Sequence, residues 1–153
     1  MKHFLALAFA GTLLLSGCGI TGEEIGRLNL YASPDPSGNY TQQSIDLNVE
    51  ADTKVWLWSQ VDMKWKGNMG LFYEVEIVQD SAVVQQFMID PHDKDVTLNA
   101  VELSTGNSHS AKFTGRNTFV RFAEAGTYTM RCRLLSDGNP TYEIKKADII
   151  FKE

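Results

Sequence analysis

The residues of this chain whose types and spacing could do chemistry are few, and the most prominent are Trp56, Trp58 and Trp65. Trp56 and Trp58 stand two apart, so an extended strand places them on one face about 7 Å apart. Exposed coplanar aromatics at that spacing can stack on sugar rings, and Trp65 is near enough in sequence to join them. The opposing expectation is that such large rings fill a core or its lid. An exposed Trp together with Arg121, Arg131 and Arg133 would also suit a protein partner, since these residue types dominate binding hot spots. Candidates for catalysis are weaker. A serine hydrolase needs its nucleophile on a sharp turn with a base in reach, and the chain has no G-x-S-x-G. His92 and His109 are the histidines outside the first seventeen residues, and both fall in expected loops. Cys132 alternates with apolar residues, which predicts an inert buried thiol. Glu74 and Glu76 share the outer face of one expected strand, where solvation is the ordinary role. Asp90, His92, Asp93 and Asp95 make an oxygen-rich loop, but their spacing does not match an EF-hand and Lys94 opposes a cation. The reading is therefore a non-enzyme without metal or cofactor.

The elements that must position these residues read as strand after strand. Strict alternation over Ile45, Leu47, Val49 and Ala51 is period two, so one face is wet and the other buried. The same pattern runs through Lys54 to Met63, with Trp56 and Trp58 opposite Val55, Leu57 and Val61. It recurs in Leu71 to Val78 and, after a tight turn at Asp80-Ser81, in Ala82 to Ile89. Further strands are expected over Arg27 to Ala32, Val96 to Leu103, Thr127 to Leu135 and Tyr142 to Lys152. Ala111 to Phe122 reads as one or two short strands broken near Gly115, after a loop from Ser104 to Ser110. Loops or turns are expected at Ser33 to Asn39, Lys64 to Gly70, Asp90 to Asp95 and Ser136 to Pro140, from their proline, glycine, acidic and polar content. In the strand from Thr127, Tyr128, Met130, Cys132 and Leu134 face one way, and Thr129, Arg131 and Arg133 the other. In the last strand Ala147, Ile149 and Phe151 are expected inward. Eight or nine strands and no convincing helix give an all-β fold, an antiparallel β-sandwich of jelly-roll or immunoglobulin-like winding. Phe122-x-x-x-Gly126-x-Tyr128 looks like a tyrosine corner, in which a phenol ties a loop to the start of a strand.

Charge narrows the class of partner. The 153-residue chain carries a formal charge of −5. A nucleic-acid binder should instead show a basic face and a high pI, so none is expected. The same charge disfavours electrostatic docking on anionic lipid, so any membrane anchoring is expected to come from a lipid alone.

The first eighteen residues supply an address. Lys2 and His3 are followed by an apolar run from Phe4 to Leu15, then Ser16, Gly17 and Cys18. The run is too short to span a bilayer and has the layout of a secretory signal. Leu15-Ser16-Gly17-Cys18 resembles the lipobox of bacterial lipoproteins. That resemblance implies removal of residues 1–17, lipidation of Cys18 by diacylglycerol and amino-terminal acylation, and hence attachment to the membrane through lipid. Two or more acyl chains hold stably where one does not. Residues 18–26 then form the anchor and a short tether, and residues 27–153 the sandwich domain. No Asp follows Cys18, which favours the outer membrane under enteric-type sorting.

Several short motifs resemble the gliding-motility H lipoproteins: Asn68-Met69-Gly70-Leu71, Phe113-Thr114-Gly115, Gly126-Thr127-Tyr128-Thr129-Met130-Arg131, and Ile144 with Asp148. Ile149 and Ile150 stand where that family has a glycine after the aspartate. The resemblance implies a lipidated, strand-rich accessory of gliding and its linked protein-export machinery, working with envelope proteins. A glycan-binding module on the cell envelope is the competing expectation.

Overall fold

The computed structural model describes residues 21–31, 40–137 and 141–153. The expected signal segment, Cys18, and the expected turn at Ser33 to Asn39 lie outside the described residues, as do Gly138 to Pro140 of the turn expected at Ser136 to Pro140. Nine strands are formed: β1 (Glu24–Asn29), β2 (Gln43–Val49), β3 (Thr53–Lys66), β4 (Gly70–Gln79), β5 (Ala82–Ile89), β6 (Val96–Thr105), β7 (Ser108–Phe122), β8 (Gly126–Asp137) and β9 (Thr141–Lys152). They build a five-stranded sheet in the order β1-β9-β3-β7-β6 and a four-stranded sheet in the order β2-β8-β4-β5. All pairings are antiparallel.

Strand order decides between the two windings left open by sequence. Setting β6 aside, the first strand pairs with the last (β1 with β9), the second with the next to last (β2 with β8), then β3 with β7 and β4 with β5. A hairpin wound on itself in this way is a jelly roll, and β6 is an added edge strand beside β7.

Period-two alternation sets the core. On the five-stranded sheet Val55, Leu57, Val61 and Met63 face inward with Ile149, Phe151, Phe113 and Val120, all at most 5% exposed. From the other sheet come Leu47, Tyr73, Val75, Ile77, Met130, Cys132 and Leu134. The β4–β5 turn consists of Asp80 and Ser81, with φ of 50° and 68°. Two residues at positive φ are what a twisted two-residue hairpin requires. The tyrosine corner is present: the Tyr128 hydroxyl donates to the Glu124 carbonyl at 3.2 Å, and its ring lies 4.5 Å from that of Phe122.

Three expected boundaries move. Strand β1 begins at Glu24 rather than Arg27, because β9 offers it a partner: Glu24 lies opposite Lys152, and Glu23 and Glu153 exchange reciprocal backbone hydrogen bonds. The expected loop at Ser104 to Ser110 shrinks to a turn at Gly106-Asn107, and the loop at Lys64 to Gly70 loses its first residues to β3. Strand β7 is continuous through Gly115. A Cβ there would come within 2.6 Å of Lys94 Cδ, so the glycine answers a close side-chain approach and does not mark a break.

Candidate functional site

The three tryptophans separate. Trp56 and Trp58 occupy even positions on β3 and point outward from the five-stranded sheet; Trp65, at an odd position, points to the inner side near the far end of the strand. Trp58 is 1% exposed, with the Lys152 ammonium 4.8 Å from its ring centre. Trp56, Trp58 and Trp65 therefore do not form one sugar platform. An outward side chain is normally wet, but here Ile150 and Lys152 on the neighbouring β9 crowd over Trp58.

Trp56 instead meets Phe119, its cross-strand neighbour on β7, edge to face at 5.2 Å. The Lys54 ammonium sits 4.0 Å from the Trp56 ring centre and 3.9 Å from that of Phe119. The Arg116 guanidinium lies 4.1 Å from the Trp56 centre and forms a two-pronged pair with Asp95 at 2.8 and 2.7 Å. Arg116 holds the Asp95 carboxyl below its ordinary range, chiefly through those hydrogen bonds. Phe119 is 46% exposed, so this cation–π cluster is open to solvent on one side.

The same outward rows carry most of the chain's positive charge. On β3 they present Lys54, Lys64 and Lys66 with Asp62; on β7, Lys112, Arg116 and Arg121. On β9 they present Lys146 and Lys152 with Glu143 and Asp148, and on β1 Arg27 with Glu24. A recess of about 380 Å³ opens among Gln60, Asp62, Asn99, Lys112, Lys145 and Lys146. Outward rows of the four-stranded sheet differ: Asp46, Glu74 and Glu76 stand against Arg131 and Arg133, and Arg133 pairs with Glu74.

A second cluster forms on the inner side, around Trp65. His109 stacks on it, with ring centres 5.3 Å apart and planes 20° from parallel, and His92 meets it edge-on at 6.0 Å. His92 also touches Phe113 at 5.6 Å, and its Nε2 is buried without a hydrogen-bond partner. Ser104 Oγ lies 2.9 Å from His109 Nδ1. Lys94 pairs with Glu102 at 2.9 Å and sits 4.2 Å from the Phe113 ring centre. A groove of about 450 Å³ beside this cluster is lined by Lys64, Trp65, Leu103, His109, Tyr142 and others. Sequence reasoning set both histidines aside as loop residues. His109 is in fact the second residue of β7, opposite Trp65, and the usable signal was the odd-numbered series Val61, Met63, Trp65 that it faces across the ladder.

The acidic loop does structural work. Asn117 is an extra residue bulged out of β7 opposite β3. Its Nδ2 donates to the carbonyls of Asp90, Pro91 and Asp93 at 3.2, 3.2 and 2.7 Å. It thereby pins the crossover from β5 in one sheet to β6 in the other. Among the described residues no three potential metal ligands gather in one place. Cys132 is fully buried, and burial pushes its thiol up to about 12. No protein-family model matches the chain, and no curated protein matches it in sequence.

Proposed function

We propose that this chain is a membrane-anchored lipoprotein that works by binding, as a non-enzymatic assembly accessory of a bacterial envelope complex. The observation that carries the reading is the lipobox-like Leu15-Ser16-Gly17-Cys18 lying only five residues before Glu23, the first residue tied into the sheet. A domain held that close to a bilayer works at its surface. Its described side chains support binding over turnover: the one inner Ser–His approach has aromatic neighbours in place of an orienting carboxylate, which leaves a triad incomplete. The short motifs shared with gliding-motility H lipoproteins favour the gliding or protein-secretion machinery among envelope complexes, and the outer membrane as the site. The test is fractionation and co-purification. Native protein should partition with membranes and bring envelope proteins with it, and Cys18→Ala should move it to the soluble fraction. Retention of the Cys18→Ala protein on membranes washed in about 0.5 M salt, where surface attraction is screened, or purification of the acylated protein without partners, would overturn the reading.

Glycan binding is the second reading, now narrowed to Trp56 with Phe119 in place of the three tryptophans. A saturable change in tryptophan emission on titration with cell-wall or capsular glycans, lost in Trp56→Ala, would establish it; a flat titration would remove it.

A further inference from the structure

We propose that the outer face of the five-stranded sheet lies flat on the anionic phospholipid headgroups of the membrane that holds the anchor. This rests on the reading of Cys18 as lipidated. The first argument is charge. The chain as a whole carries −5, yet the outward rows of β1, β3, β7 and β9 present nine basic side chains against four acidic ones, or five with Asp95, which pairs with Arg116 over the same face. Basic side chains close to an anionic leaflet each add attraction, within a Debye length of the surface. Lys54 and Arg121, cross-strand neighbours at one end of this face, have no ion pair among the described residues, so their charge is available. On the opposite face Arg133 is already paired with Glu74, and Arg131 lies across the ladder from Glu76.

The second argument is reach. Four residues, Gly19 to Gly22, separate Cys18 from Glu23, and the five extended steps between them span at most about 18 Å. The tether leaves from β1, an edge strand of the basic sheet, at the end that holds Trp56, Phe119 and Lys152. Glu23 and Glu153 lie at this same end, as do the turns carrying Glu50, Asp52 and Glu124. An upright domain would press those carboxylates against anionic headgroups. Lying on the sheet turns them aside and brings the lysines down.

The third argument is the residue mix. Trp56 and Phe119 bracket Lys54, and aromatic rings with long cationic side chains are the types that settle at a bilayer interface. The recess bordered by Lys112, Lys145 and Lys146 has the charge to accept a phosphate headgroup.

The experiment uses the acylated full-length protein in phosphatidylcholine vesicles with or without phosphatidylglycerol, all doped with a lipid that quenches tryptophan at headgroup depth. Trp58 is buried and Trp65 faces the other way, so Trp56 reports the face. Quenching should rise about twofold with the anionic lipid and fall back in about 0.5 M salt, where screening is nearly complete. Trp56→Phe should remove it. Lys54→Glu with Arg121→Glu should abolish the rise while near-ultraviolet dichroism shows the fold intact. Protein that stays on the vesicles with quenching blind to lipid charge overturns the flat posture and leaves the anchor standing. Release from neutral vesicles overturns the anchor, and the posture with it. Quenching blind to lipid charge, with saturable binding of an anionic polysaccharide to the same face, assigns the face to a polymer and overturns the proposal.

Discussion

Cys132 shows how position governs the chemistry of a residue type. It sits on β8 between Met130 and Leu134, all three at 0% exposure, and desolvation raises its thiol pKa from 9.0 to about 12. In the native protein it should resist alkylation at pH 8 and react only as fast as the molecule opens, which mass spectrometry of iodoacetamide-treated protein would measure. The linkage runs one way. The folded pKa lies above the unfolded one, so stability is complete below pH 9. It should fall by about 1.4 kcal/mol per pH unit as pH rises from 9 towards 12, a loss that Cys132→Ala should not show. Asp148 is a carboxylate only 4% exposed. It accepts from Arg27 at 2.9 Å, and Arg27 also bonds Gln60 at 2.7 Å. Arg27→Met should cost about 2–3 kcal/mol in urea unfolding by stranding that charge, and adding Asp148→Leu should recover much of it. Neither partnership could be read from sequence. Arg27 and Asp148 are 121 residues apart, and only the pairing of β1 with β9 joins them. The same holds for His92, His109 and Trp65.

At the scale of the element, sequence patterning is most legible where a strand has one wet face and less so where it has none or two. Strands β3, β4 and β8 alternate as expected, the covered Trp58 on β3 apart, because their outer rows otherwise meet solvent and their inner rows meet the core. Strand β6 has hardly a buried position, with Val101 and Leu103 55% and 64% exposed. Its end, and the start of β7, consequently have the polar composition of a loop. Strand β9 is buried on both faces from Ala147 to Phe151; its inward row of Ala147, Ile149 and Phe151 is as expected, and what the pattern did not show is that Asp148 and Ile150 on the outward row are covered too. Turn chemistry was more legible: Asp80-Ser81 was identifiable as a hairpin, though neither residue is the best for its φ. Replacing the pair with Asn-Gly should raise stability by about 1 kcal/mol, since glycine carries no penalty at positive φ. Asn117 offers the opposite test. Asn117→Ala removes the donor shared by three loop carbonyls and should cost about 1–2 kcal/mol. Amide exchange should quicken most at Asp93 and Asp95, whose backbone N–H groups bond Asp90 and Arg116.

For the whole molecule, jelly-roll winding makes the two ends of the described domain interdependent. Strand β9 enters the sheet last yet lies between β1 and β3, and its Ala147, Ile149 and Phe151 are at 0% exposure. Ile149→Ala alone should cost about 3–4 kcal/mol through the cavity it leaves. Removing all of β9 costs far more than one side chain. It strips both β1 and β3 of a ladder partner and opens the core, more than a domain of typical stability can absorb. A chain ending at Asp137 should therefore give no cooperative thermal transition and no near-ultraviolet dichroism. The amino-terminal side is different in kind. Sheet pairing starts at Glu23, so a chain beginning at Thr21 keeps every ladder bond described above and should melt within about 2 °C of the longer protein, a shift worth less than 1 kcal/mol. Both should refold slowly, in milliseconds to seconds, because five of the seven strand pairings join segments distant in sequence. If the chain beginning at Thr21 failed to fold, the segment before the sheet would have a structural role and could not be a simple tether.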